Sequence, residues 1–175
     1  MTLGNTNLFI VENLGKELIL YNRTGNIQWK CPDSGYNTKI SPNDKYIATI
    51  DYNNVDAYGK GLFVYDMNGK VLWNYNSERR MKVKFITDEI LFYVTAPGWI
   101  YNRKIGKRER KSGEAIVFKA STGEILYEEE FDFEKSILDI EYIEEYDVEN
   151  NSIKVNFSPY QRTKIFNFPD LYAIR

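Results

Sequence analysis

The stretch of this 175-residue chain best equipped for chemistry is APGWIYNRKIGKRERKSG, residues 96–113. It carries Arg103, Lys104, Lys107, Arg108, Arg110 and Lys111 against one acid, Glu109, with Trp99 and Tyr101 ahead of the charges. Cations interleaved with aromatics suit two tasks. One is gripping an acidic protein, where Trp, Tyr and Arg dominate binding energy; the other is tracking a phosphate backbone. A nearby run, Arg79-Arg80-Met81-Lys82-Val83-Lys84, joins the same basic patch if the strands bring it there. The opposite sign follows. From Glu124 to Glu149 there are twelve acids and one base, Lys135, with Glu128, Glu129, Glu130 and Asp132 the densest group. An acidic surface of this kind fits a basic protein and imitates nucleic acid.

Other chemistries are poorly supplied. The chain has no His and a single Cys, Cys31. That removes His-ligated metal sites, Ser-His and Cys-His catalysis, intrachain disulfides and Cys-rich zinc sites. Carboxylate pairs at i, i+2 exist, Asp132 with Glu134 and Asp139 with Glu141. In a strand each pair faces one side at about 7 Å, a spacing open to glycoside hydrolysis. With 25 acids in the chain, such pairs arise by chance. Gly98 and Gly106 lack the spacing of a phosphate loop, and Tyr52-Asn53-Asn54-Val55-Asp56 lacks that of a calcium loop. No catalytic residue, metal or cofactor is expected.

The elements that must position these residues come from a repeat. Residues 18–29, LILYNRTGNIQW, align without a gap with residues 62–73, LFVYDMNGKVLW. Tyr21 matches Tyr65, Gly25 matches Gly69 and Trp29 matches Trp73. A third copy, AIVFKASTGEILY, runs from Ala115 to Tyr127, with Phe118, Gly123 and Tyr127 in the three places. A degraded fourth copy, KIFNFPDLYAI, has Phe166 in the Tyr place and Pro169-Asp170 in its turn. Alternating apolar residues around a Gly turn make a β-hairpin, and Asn68-Gly69 is the strongest short hairpin signal, with positive φ expected at both residues. A second marker, SPNDKYIA at 41–48, sets Pro42 and Asn43-Asp44 in a tight turn between strands. Thr87-Asp88 and Glu149-Asn150-Asn151 occupy the equivalent places in later units. The recurring Trp29, Trp73 and Tyr127 therefore read as packing residues, and Trp99, outside the repeat, as the binding aromatic.

Four short antiparallel strands per unit, recurring at about 40–50 residues, are the blade pattern of a β-propeller. The units cover about residues 6–30, 36–75, 81–129 and 136–174 of one domain, 1–175, with only three strands visible in the first. Helix content is expected to be low, EEEFDFEK at 128–135 being the best candidate for a helical turn. The motif Tyr-Asp-x-x-Gly-x-Val-x-Trp resembles the repeats of pyrroloquinoline-quinone-type propellers, and SPNDKYIA is similar to the turn of WD-repeat propellers. The resemblance implies an all-β, about four-bladed or partial propeller and no particular activity. It implies no quinone either, since the Gly-x-x-x-Trp element is a structural hairpin in those repeats. A closed four-bladed ring, an open arc completed by dimerisation and a sandwich-like arrangement all fit the strand count.

Targeting signals are not visible: MTLGNTNLFIVENLGK has no basic n-region or long apolar stretch. The longest apolar run, Ile90 to Val94, is far short of the about 20 residues that span a bilayer. The expectation is a cytoplasmic, non-enzymatic protein-binding module, monomer or homodimer, with no membrane partner. One specific form is an immunity protein that neutralises a bacterial toxin through a charged surface. The alternatives are a nucleic-acid-associated protein using the 96–111 loop, against which the net charge of −2 argues, and a carbohydrate- or phosphate-acting enzyme.

Overall fold

The computed structural model describes residues 2–3, 8–13, 17–31, 35–53, 58–77, 79, 81–102, 106–133, 139–159, 161–169 and 171. Among them the regular structure is all strand. Blade 1 holds β1 (Thr2–Leu3), β2 (Leu8–Asn13), β3 (Glu17–Asn22) and β4 (Ile27–Cys31). Blade 2 holds β5 (Gly35–Ile40), β6 (Tyr46–Asn53), β7 (Tyr58–Asp66) and β8 (Val71–Tyr75). Blade 3 is built from β9 (Met81–Phe85) and β10 (Ile90–Thr95), then β13 (Gly113–Lys119) and β14 (Ile125–Phe131). Between β10 and β13 stands a separate two-stranded ribbon, β11 (Gly98–Asn102) with β12 (Lys107–Lys111). Blade 4 holds β15 (Asp139–Ile143), β16 (Ser152–Ser158) and β17 (Arg162–Asn167). Every pairing is antiparallel between sequence neighbours, apart from the β10–β13 pair that the ribbon interrupts. The protein is thus a set of propeller blades.

The first blade has a fourth strand that the sequence pattern does not reveal: Thr2 and Leu3 pair with Ile10 and Phe9. The hairpin turns also differ in detail from expectation. Asp66 Oδ1 accepts the backbone N–H groups of Asn68 (2.8 Å) and Lys70 (3.0 Å), and Gly69 alone takes positive φ, at 80°. The loop is a wider turn capped by a side chain, so Asn68 is spared the left-handed region. Residues 128–131 extend β14 and do not form a helical turn. Period two wins there because Tyr127, Glu129 and Phe131 all face blade 4 while Glu128 and Glu130 face out.

The core lies between blades. Ile10, Leu18 and Leu20 of blade 1 pack on Ile47 and Tyr65 of blade 2. Ala48, Ile50, Leu62 and Val64 on blade 2's other face meet Leu91, Tyr93, Ile116 and Phe118 of blade 3. Phe92, Val94, Ala115, Val117 and Phe131 then meet Ile153, Val155, Phe157 and Phe166 of blade 4. Alternation sends odd and even residues of one strand into different seams, which is why all six residues of β10 are buried. Each buried Leu, Ile or Phe contributes about 1.5–3 kcal/mol.

The repeat residues lock the seams. Trp29 Nε1 donates to Met67 O at 3.0 Å, and its ring lies over the blade 2 turn: a Cβ on Gly69 would sit 2.9 Å from Trp29 Cδ2. Trp73 does the same one blade on, donating to Ala120 O at 2.7 Å, with a Cβ on Gly123 only 2.7 Å from Cδ2. Tyr127 sits edge-on to Phe168 of the fourth turn, centroids 5.1 Å apart. On the turns of the other hairpins, Asn43 N–H donates to Asp88 Oδ1 at 2.8 Å and its side-chain amide donates to Oδ2, joining blades 2 and 3. Ser41 Oγ closes the SPND turn by accepting Lys45 N–H (2.9 Å) and Tyr46 N–H (3.1 Å), with Asp44 at φ 56°.

Candidate functional site

The ribbon forms because Gly106, at φ 66°, reverses the chain and every residue from Gly98 to Asn102 finds a partner from Lys111 to Lys107. Trp99 pairs with Arg110 and Tyr101 with Arg108, so these positions share one face, while Lys107, Glu109 and Lys111 lie on the other. Trp99 is 57% exposed, and Lys107, Arg108 and Arg110 are exposed too. Arg103 and Lys104 lie outside the described residues, as does the Tyr101 side chain.

The ribbon's base is held by an ion-pair network. Arg79 donates to Ser112 O and to Thr95 Oγ1 (3.4 Å), and pairs with Glu114 Oε1 at 3.1 Å. Thr95 Oγ1 accepts the Glu114 N–H at 2.9 Å. Burial pushes the Glu114 carboxyl up, Arg79 pulls it back, and Glu128 and Glu130 push it up further. Those two acids are brought there by the β13–β14 register, which sets Glu130 opposite Glu114 and Glu128 opposite Ile116. The exposed acids Glu128 and Glu130 therefore lie near Glu114 at the ribbon's base.

Several expected contact residues are engaged within the chain. Arg110 Nη2 binds Asp132 Oδ1 at 2.9 Å and also Phe133 O, tying the ribbon to the strand exit. Lys111 pairs with Glu109 at 3.3 Å. Glu129 faces blade 4, where Lys164 lies 2.6 Å away and Tyr127 Oη donates to it. Burial would raise the Glu129 carboxyl, but these two partners outweigh it and hold it below the usual range.

Of the described cations in the run 79–84, Arg79 lies at the ribbon's base, and Lys82 and Lys84 turn to blade 4; Arg80 lies outside the described residues. Lys82 donates to Glu141 O, and Lys84 to Glu144 O (3.1 Å) and the Glu145 carboxylate (2.6 Å). These lysines lie on β9, opposite in phase to the buried Met81, Val83 and Phe85, and so reach the neighbouring β15. The acidic window is correspondingly divided among the ribbon's foot, blade 3's edge and the β15–β16 turn. A bulge at Glu141 breaks the i, i+2 relation with Asp139, and Glu134 lies outside the described residues. Among the described residues no group of three or more Cys, Asp or Glu side chains is placed to hold a metal ion.

Sequence reasoning missed Arg79 as the ribbon's anchor, which lies outside the repeat, and placed Asp88 in a turn without reading it as a link between blades. It also missed Tyr93, whose hydroxyl is buried without a hydrogen-bond partner among the described residues; burial pushes it far above the usual phenol range.

No protein-family model matches the chain, and no curated sequence is similar to it. Solved structures are. A eukaryotic initiation factor superposes over 92% of this chain and 37% of its own, with a TM-score of 0.54 at 12% identity. A Bacteroides caccae protein of unknown function gives 93% and 58%, with a TM-score of 0.53 at 12% identity. An acylaminoacyl peptidase from Pyrococcus horikoshii gives 97% and 32%, with a TM-score of 0.51 at 15% identity. This chain thus spans from a third to three fifths of those chains, and the likeness is one of fold.

Proposed function

We propose that the chain is a non-enzymatic protein-binding module and that the β11–β12 ribbon, with Glu128 and Glu130 near its base, is its contact surface. The observation that carries this reading is Trp99: a large aromatic, 57% exposed, on a ribbon outside the blades and directly across from Arg110. A stranded Trp beside Arg is the side-chain chemistry that dominates protein interfaces once a partner removes water. The absence of His and the division of the carboxylates support a binding role over a catalytic one. A phosphate-tracking role is less well supported, because Arg79, Lys84, Arg110 and Lys111 each face a carboxylate already.

In its finer form the proposal is that the partner is a toxin, which this chain neutralises as an immunity protein. Exposed acids near the ribbon's base, with an exposed Trp and Arg108 on the ribbon, suit a partner with a cationic working surface. The test is quantitative co-purification from source cells with the parent protein, Trp99→Ala, Arg108→Glu and the double variant Glu128→Lys/Glu130→Lys. A hot-spot Trp carries about 2 kcal/mol or more, so its loss weakens binding about thirtyfold. Equal recovery of a stoichiometric partner by all four proteins would remove the site. Failure of the chain to relieve growth arrest caused by that partner would remove the immunity role alone.

A further inference from the structure

The ribbon is the outer end of blade 3's central hairpin, and the two share one register with a break in it. Val94 pairs with Ala115, and pairing resumes four residues on, at Gly98 with Lys111. Between these points the ladder skips Thr95, Ala96 and Pro97 on one leg and Ser112, Gly113 and Glu114 on the other. The flanking pairings run on past the break: Thr95 with Met81, Gly113 with Phe131 and Glu114 with Glu130. The hairpin is split along its midline while its two flanks stay closed.

The sequence supplies the cause. Main-chain groups alternate sides along a strand, and the Glu114 N–H points across the split to Thr95 Oγ1. The Ser112 carbonyl, two residues away, faces the same side, where Pro97 has no N–H to give. The donor comes instead from Arg79, in the connection between blades 2 and 3. Its Nη1 reaches Ser112 O on one leg and Thr95 Oγ1 on the other (3.4 Å), and its Nη2 pairs with Glu114 Oε1 at 3.1 Å. One guanidinium thus spans both legs, which its planar fork of donors allows. Behind the split, Gly113 is pressed against a ring of the core: a Cβ there would sit 2.4 Å from Phe131 Cζ.

We infer that Arg79 is a positioning residue for the ribbon: wedged in the split, it fixes the direction in which Trp99 and Arg108 are presented. The inference rests on the reading of the ribbon as the contact surface. A ribbon joined to its blade by two unpaired legs swings about the split unless something bridges them. Arg79 bridges them at the pivot, and Arg110, through Asp132 and Phe133 O, ties the ribbon further out. A contact surface held in one direction before a partner arrives leaves less to be ordered on binding.

The test reads the ribbon's direction by pulsed electron paramagnetic resonance, with no partner present, so it fails or succeeds apart from the co-purification above. Nitroxides are placed at Lys107→Cys on the ribbon and Arg162→Cys on blade 4, both exposed, in a Cys31→Ser background. The parent should give one narrow distance. Arg79→Met, with folding checked by circular dichroism, should lose it and give a broad distribution. Adding Pro97→Ala to Arg79→Met restores a main-chain donor opposite Ser112, so the ladder closes across the split and a narrow distance returns at a shifted value. A role for Arg79 in packing alone would leave that double variant broad. If Arg79→Met loses its β spectrum, Glu114→Gln, which keeps the side chain's size and removes the charge that holds Nη2, decides by the same broadening. A parent that is already broad overturns the inference. So does an Arg79→Met distribution that matches the parent, a double variant as broad as Arg79→Met, or, where it decides, a Glu114→Gln distribution that matches the parent.

Discussion

The contact between Trp29 and Gly69 can be tested by a cycle of two substitutions. Gly69→Ala places a methyl group where φ is 80° and where its carbon would lie 2.9 Å from Trp29 Cδ2 and 3.1 Å from Cγ. The left-handed backbone costs about 1–2 kcal/mol for a residue with a Cβ. Overpacking against a fixed ring adds about 1–3 kcal/mol. The ring is fixed, because its Nε1 hydrogen bond to Met67 O and its stacking on Tyr65 at 6.0 Å leave it no second position. Gly69→Ala should therefore cost about 2–5 kcal/mol, whereas Gly25→Ala, with the same φ and open space, should cost only the backbone share. In a Trp29→Ala background the overpacking vanishes, and Gly69→Ala should fall to the Gly25→Ala value. The coupling energy read from urea unfolding is then about 1–3 kcal/mol. A coupling of zero, or equal costs at Gly25 and Gly69, would refute the seam argument.

Other expectations follow from buried polar groups. Burial alone would raise the Asp88 carboxyl, but hydrogen bonds from the Asn43 amide and side chain, with Ser41 and Lys45, outweigh it and hold its pKa below the usual range. A lowered native pKa gives stability that is complete above the unfolded value of about 3.9 and lost as pH falls through the native value. Asp88→Asn should thus cost about 1–3 kcal/mol near neutral pH, with the gap narrowing below pH 4 in urea titrations; a gap independent of pH would contradict this. Tyr93→Phe removes a buried hydroxyl that has no partner among the described residues, so calorimetry should show no loss and up to about 1 kcal/mol gained. A loss of that size would mean the hydroxyl is bonded.

The repeat was readable because its residues answer to local rules. Gly25, Gly69 and Gly123 mark turns that need positive φ, and the alternation around them fixes strand faces whatever the rest of the chain does. The ribbon was not readable in the same way. Its second strand, KRERK, has no apolar alternation, and its pairing depends on Gly106 and on Arg79, which comes from the far side of β9 and β10. Likewise the acids of residues 124–149 look like one surface in the sequence, yet strand alternation turns Glu129 inward to Lys164 and leaves Glu128 and Glu130 outside. Charge counting gives a sum, while the sign seen by a partner depends on which side chains neutralise one another. Trp99 was legible by elimination, since it alone of the three Trp residues stands outside the repeat.

The sharing of the core among three seams governs how the protein comes apart. Among the described residues the core clusters lie on both faces of blades 2 and 3 and on one face each of blades 1 and 4. Stability in such a row is a sum of nearest-neighbour couplings, so fraying begins at the ends and amide hydrogen exchange should slow from β2 to β10. Tyr93 and Phe92 on β10, turned into different seams, place the slowest-exchanging amides in blade 3. The ribbon is rooted in that same blade, so a partner gripping it would pull on the last part of the molecule to melt.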